Sequence, residues 1–399
     1  MKIANTILRL LILFLPWDAL TFGFLTPVEE KLISEAKQGQ IVHLPELLGQ
    51  RGLMAKIPLK ISPQPGAQLL FSDRPEYFAR DGISLQETVK PGKVRLYVYH
   101  VPQPDADSHT ITAVLKNCGS NALNLHFTHR AFPMPGKDYQ RVALEGLLGF
   151  LGSASVAPNR LVLPGKSFVL DELLDESAAT KDQLVHAFFE FEIDQPAQVT
   201  VFQRIPLESS LDALPRLPLL STDPTRRGNG AGRGLFPSAD FAVENAAEAA
   251  LDSTNGPVQL IVADGKTDPW IKGYDSIDHT NSTDAGNYGV FYHIRLHRNP
   301  HDPNGLALLL CKIRTRSAYC GRLAAAMEVN RGEWPGGVVA LPTGPDVLGN
   351  PDDAVLVQRF PPPKSGADDI IEILYSPPGA ACLPTPLVFV PYQPQPKPR

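Results

Sequence analysis

The sequence predicts an all-β protein: two β-sandwich, immunoglobulin-like domains joined by a Pro/Gly-rich linker, with short accessory helices. Three observations carry this. Apolar residues recur at period two over many short segments, the mark of strands with a buried face. The chain holds 39 prolines and 31 glycines beside 43% hydrophobic residues, which fits packed strands and tight turns better than disorder. The pattern of the first half also returns in the second.

The clearest stretch is GNYGVFYHIRLHRNPHDPNGLALLLC, residues 286–311. Val290, Tyr292, Ile294 and Leu296 alternate with Phe291, His293, Arg295 and His297. RNPHDPNG is turn chemistry. Leu306–Cys311 is apolar throughout, as in a strand covered on both faces. The expectation is an antiparallel strand pair at the centre of a sandwich.

The 399 residues suffice for two domains. Residues 1–26 read as an export signal or N-terminal anchor: Lys2 and Arg9 are positive, Ile7–Leu15 is a short apolar core, and Pro16 ends it. Residues 27–40 form a helical or loose lead-in. The first domain spans 40–205. Its strands are IVHLPELL, MAKIPLKIS, AQLLFSDRPEYF (broken at Ser72–Pro75), VRLYVYHV, TITAVL, ALNLHFTH, the kinked RLVLPGKSFVL, and a closing hairpin of Phe188–Ile193 with Val199–Ile205. In VRLYVYHV, Val94, Leu96, Val98 and His100 share one face, and Arg95, Tyr97 and Tyr99 the other. Residues 138–151 show helical spacing.

Residues 206–234 read as a linker. Their RRGNGAGRG lacks the lysine and hydroxyl of a phosphate loop. The second domain spans 235–392, before a flexible tail, 393–399. DFAVENAAEAAL, residues 240–251, favours a helix by propensity. PVQLIVAD is a strand and residues 265–287 a long polar loop. The organising pair, RLAAAMEVNRG, GVVALP and AVLVQRF, and a terminal hairpin of DIIEILYS with PLVFVPY follow. VRLYVYHVPQPDADSHTITAVL and VFYHIRLHRNPHDPNGLALLL share one pattern, which predicts two related sandwiches.

A net charge of -5 implies no nucleic-acid partner. Membrane contact is expected only through an uncleaved N-terminal segment. The four cysteines, Cys118, Cys311, Cys320 and Cys382, fit no zinc spacing. Four buried free thiols are the favoured reading, with a Cys311–Cys320 bridge across a hairpin as the alternative. His293 and His297 would lie roughly 13 Å apart on a strand, too far to share an ion.

The best binding-site candidate is the loop carrying Asp264, Asp268, Trp270, Tyr274, Asp275 and Asp278. Its plainest reading is a solvated loop anchored by Trp270. Acids beside aromatics also suit a glycan, by stacking and hydrogen bonding. Calcium is the one cofactor its oxygens would suit, although no EF-hand spacing is present. No catalytic residue is assigned, since GxSxG, SxxK and Cys-His signatures are absent.

Residues 69–101 (LLFSDRPEYFARDGISLQETVKPGKVRLYVYHV), 286–300 and 356–391 resemble uncharacterised secreted proteins of Gram-positive bacteria, some described by a copper-amine-oxidase-type N-terminal domain. That resemblance implies location and architecture. Asn287-Tyr288-Gly289 lacks the acid that the topaquinone motif of such oxidases carries, and no His-x-His pair is present. No oxidase residue is therefore carried over.

The expectation is an exported cell-envelope or extracellular protein with a non-enzymatic structural or binding role toward wall, glycan or an envelope protein. The first alternative is a secreted hydrolase of polysaccharide or wall material, with acids drawn from Asp73, Glu76, Asp275 and Asp278. The second is a calcium-stabilised adhesion module.

Overall fold

The structure is a computed structural model that describes residues 25–103, 108–153, 159–222, 230–313, 321–364 and 369–394. It is mostly β-sheet with short helices, as the alternation requires. The expected signal segment lies almost wholly outside the described residues, as does Cys320. No helix among the described residues is long and apolar enough to cross a membrane.

Four sheets form. The first has nine strands, in the order 160–162, 123–131, 185–193, 92–102, 68–72, 233–236, 272–275 and 280–283, with 77–78 beside 92–102. The second has four: 167–169, 110–117, 197–204 and 82–89. The third has six: 337–341, 325–329, 369–375, 291–298, 240–245 and 59–63. The fourth has six: 41–43, 353–360, 305–311, 387–392, 258–260 and 55–56.

The two halves share one topology. Strands 123–131, 185–193, 92–102 and 68–72 stand in the order of 325–329, 369–375, 291–298 and 240–245, and each series ends in a parallel pair. Likewise 167–169, 110–117, 197–204 and 82–89 match 353–360, 305–311, 387–392 and 258–260. The rhyme in sequence thus corresponds to a repeated strand order.

The expected hairpins are not hairpins. Strand 291–298 pairs with 240–245 and 369–375, whereas 305–311 pairs with 353–360 and 387–392. The terminal strands of the first half, 185–193 and 197–204, also lie in different sheets, as do 369–375 and 387–392. In each case the turn carries the chain across from one sheet to the facing one. Period two reports a buried face and does not say whether the next strand lies beside that face or opposite it.

Among the described residues three large apolar cores follow, with a small one at Ile83, Val114 and Phe202. Leu70, Leu96, Val98, Phe189 and Phe191 of the first sheet meet Leu85, Leu115 and Val201 of the second. Leu296, Met327 and Ile373 of the third sheet meet Leu308, Val357 and Phe389 of the fourth, and this core continues onto Phe71, Tyr97 and Phe188 of the first sheet. The outer face of the fourth sheet, through Leu309 and Leu356, is covered by Ile33, Leu47 and Leu48 of the helices Pro27–Glu35 and Pro45–Gly49. Strand 305–311 is consequently buried at every position, as its unbroken apolar run predicts.

Pairing does not respect the expected domain limits of 40–205 and 235–392. Strands 41–43, 55–56 and 59–63 pair with strands of the second half, while 233–236 pairs with 68–72 in the first sheet. Nor are the described parts of 206–234 a free linker. Ser210–Ala213 is helical, Leu220 is buried and Arg233 begins a strand. Residues 240–245 form a strand instead of a helix, because pairing on both edges overrides propensity. The polar loop contains a hairpin, 272–275 with 280–283, at the edge of the first sheet. Cys118 and Cys311 are free thiols and Cys382 is disulfide-bonded. Neither four free thiols nor a Cys311–Cys320 bridge therefore describes the chain.

Candidate functional site

The six loop residues fall into two groups, and nearly all their carboxylates bond to their own surroundings. Asp264 Oδ1 accepts from the backbone N–H of Lys266, Thr267 and Asp268. Asp268 is buried, and its Oδ2 accepts from Ala263 N–H at 2.7 Å and the Tyr292 hydroxyl at 2.5 Å. Trp270 lies across Gly265 of the same loop and is 37% exposed. The second group surrounds Arg233, among the largest fully buried side chains. Its Nε donates to Asp275 at 2.6 Å and its Nη2 to Asp278 at 2.7 Å. Asp278 also accepts from Ser221 and Thr222. Tyr274, 44% exposed, stands beside a shallow groove with Glu87 and Ser276. These bonds hold loops in place; among the described residues, no group of three or more His, Cys, Asp or Glu is arranged to hold a metal ion.

A different set converges. Asp73 and Glu76 line a cavity of about 190 Å³, walled by Phe71, Tyr97, Tyr99, Tyr288, Ala231, Gly379 and Ala380. It lies where the outer face of the first sheet meets the second half of the chain. Each wall has a local cause. Strand 92–102 is buried on both faces, so alternation sends Leu96 and Val98 into one core and Tyr97 and Tyr99 toward the seam. Strand 68–72 ends at Phe71-Ser72, and the Asp73–Glu76 segment turns out of the sheet into the cavity. Tyr288 comes from the entry to strand 291–298 and donates its hydroxyl proton to Ala381 O at 2.9 Å. Gly379 and Ala380 come from the crossing between the third and fourth sheets.

Ala231 is placed by its flanking glycines. Gly230 and Gly232 have φ of 90° and 157°, and a Cβ would stand 1.7 Å from Asp73 O and 2.3 Å from Thr283 O respectively. Only glycine permits both the backbone conformation and the close approach. The result aims Ala231 N–H at Asp73 Oδ2, at 2.5 Å. RRGNGAGRG thus contains a built contact.

The electrostatics are unusual. Asp73 is 6% exposed, and its Oδ1 has no hydrogen-bond partner among the described residues. Burial, then the neighbouring Glu76 carboxyl, push its pKa well above the usual carboxylate range, against the Ala231 bond. Burial raises Glu76 as well. Asp284, near enough to add to the shift of Asp73, is wholly buried, and burial drives its pKa well up against a bond from the Tyr288 backbone N–H. Arg74 offsets the shift of Asp73 only in part. It forms no ion pair among the described residues, its Nε is unbonded, and its Nη2 donates to Gly230 O at 3.3 Å. His100, below Ser72, is held neutral by burial with a pKa of about 3.

A second charged cluster fastens the seam. Arg95 donates to Glu190 at 2.7 Å, to Asp240 at 3.0 Å, and to the carbonyls of Ala239 and Gly289 at 3.0 and 3.1 Å. It also stands 4.6 Å over the Phe291 ring. One side chain of the first sheet thereby ties two segments of the second half, 239–240 and 289–291, and its strand carries Tyr97 and Tyr99 into the cavity.

Of the four acids proposed for a hydrolase, the structure brings Asp73 and Glu76 together, and Asp275 with Asp278 elsewhere around Arg233. Tyr97, Tyr99 and Tyr288 are not expected as site residues from the sequence, and Asp284 is expected only as one acid of the polar loop. Their one legible signal is that Arg95, Tyr97 and Tyr99 occupy what would otherwise be a solvent face. No protein-family model matches the chain, and no curated protein sequence matches it either.

Proposed function

We propose that the chain is an exported cell-envelope or extracellular binding protein, built as two related sandwiches, whose ligand site is the Asp73–Glu76 cavity at their seam. The carrying observation is Asp73: a buried carboxyl lining a cavity walled by four aromatic rings, whose Oδ1 has no partner among the described residues. Leaving such a group unsatisfied costs stability, and sites that retain that strain are commonly those where a ligand relieves it. The signal-like N-terminus, the resemblance to secreted Gram-positive proteins and the disulfide at Cys382 support export.

The test is Asp73→Asn. Because the folded pKa of Asp73 is raised, its protonation favours the folded state: that contribution is present below the unfolded value near 3.8 and lost as pH rises through the folded value. The variant is therefore expected to unfold at a higher temperature than wild type at pH 8, with the gain gone near pH 4. A structural carboxylate would show the opposite, a loss of stability at pH 8.

A hydrolase is the second reading, favoured by two acids of raised pKa in one cavity. At about 190 Å³ the site admits one small group. Turnover of aryl glycosides or esters that Asp73→Asn abolishes would establish it.

A further inference from the structure

Resting on the proposed site, we infer that the ligand is a small organic cation, a primary or quaternary ammonium, held against Asp73 and Glu76 within the ring of Phe71, Tyr97, Tyr99 and Tyr288. The lining residues are two acids, four aromatics, two alanines and a glycine. Among the described residues no lysine, arginine or histidine lines the cavity, so the two acids face a bound group directly and disfavour an anion. Among the described residues no asparagine, glutamine, serine or threonine lines it, so a sugar would have only the two carboxyls and the tyrosine hydroxyls to orient it, in a space of about 190 Å³.

A metal ion is disfavoured by the same geometry, since Asp73, Glu76 and Asp284 form no metal-holding group. An ammonium asks for less: one or two carboxylates and aromatic rings. Phe71 lies 6.3 Å from Tyr288 in stacked orientation and 5.5 Å from Tyr97, so the rings are continuous across the wall. The volume suits a ligand the size of a trimethylammonium group with a short arm.

The cation would also resolve the charge imbalance. Asp73, Glu76 and Asp284 all have pKa values raised by burial, and Arg74 pairs with none of them. A positive ligand favours the ionised acids, so binding should release protons; a neutral ligand should not.

The experiment is titration calorimetry of the purified chain at pH 6 with choline, tetramethylammonium and methylammonium. Each is run in two buffers of different ionisation enthalpy. Controls are 3,3-dimethylbutan-1-ol, the uncharged isostere of choline, and glucose. At least one cation should bind with proton release and at least tenfold more tightly than the neutral isostere. Asp73→Asn should weaken it at least tenfold, and Tyr288→Leu should weaken it while the far-ultraviolet circular dichroism stays that of wild type. The inference falls if the isostere binds as tightly, if binding releases no protons, or if no cation binds. Binding of glucose or the isostere that still depends on Asp73 would overturn the cation while upholding the site. Absence of all binding, with Asp73→Asn destabilising at pH 8, would overturn both.

Discussion

Arg95 is a buried charge whose removal should be costly, and its surroundings set the scale. Arg95→Met keeps the apolar stem over Phe291 and deletes the charge. It leaves Glu190 and Asp240, whose side chains are 4% and 10% exposed, without their main partner. Breaking a buried ion pair from one side costs about 3–5 kcal/mol. Two carbonyls, of Ala239 and Gly289, lose their donor as well, at about 1 kcal/mol each. Some relief remains: Thr128 still donates to Glu190 at 3.1 Å, and Ala67 N–H to Asp240 at 3.2 Å. The expectation is about 4 kcal/mol at pH 7, read by urea denaturation through tryptophan fluorescence. The pH dependence is the sharper test. Burial alone would raise the Glu190 pKa, but His129, 3.6 Å away, and the Arg95 guanidinium hold it at about 2. In wild type this stabilisation is present above the unfolded value of 4.5 and is lost only as pH falls toward 2. Without Arg95, only His129 and Lys93 still oppose burial, so the Glu190 pKa rises and its protonation relieves the variant. The gap between the two proteins should therefore narrow on going from pH 7 to pH 4. Adding Glu190→Gln and Asp240→Asn to Arg95→Met should recover part of the loss. A cost below about 1 kcal/mol at pH 7, or a gap that widens with acid, would refute the reasoning.

Further outcomes follow from other buried groups. Arg233→Met strips Asp275 and Asp278 of their partner and the Leu220 carbonyl of a donor at 2.6 Å; a loss of about 3–5 kcal/mol is expected in the same assay. Arg233→Lys should recover little, because one ammonium cannot reproduce the fork. A thiol reagent should label exposed Cys118 rapidly in the native chain, but buried Cys311, its pKa pushed up to about 12 by burial, only on unfolding. Trp270→Ala should leave choline binding unchanged, since Trp270 packs on Gly265 and does not line the cavity; a tenfold loss would relocate the site to the 264–284 loop.

Local pattern alone made the all-β class readable. Leu123, Leu125 and Phe127 point inward as their alternation requires, the helix predicted over 138–151 is present at 139–152, and Leu306–Cys311 is buried throughout. These properties depend on side-chain period and on burial of each face, which neighbouring residues encode. Even the repetition of the two halves could be seen in the spacing of strand, turn and strand.

Tertiary structure alone decided which strands pair and which side chains meet. Asp194–Pro196 and 299–304 look like hairpin turns because a hairpin and a crossing between facing sheets present the same alternation to one core. Only the partner strands, more than a hundred residues away in the case of 59–63 and 240–245, distinguish them. The polar loop attracted attention because its acids are adjacent in sequence, yet those acids largely bond within their own loops. The cavity draws on residues 71–76, 97–99, 231, 288 and 379–380, which no spacing rule connects. They meet because strand 92–102 is buried on both faces, and its second face has no partner until the other half of the chain folds against it.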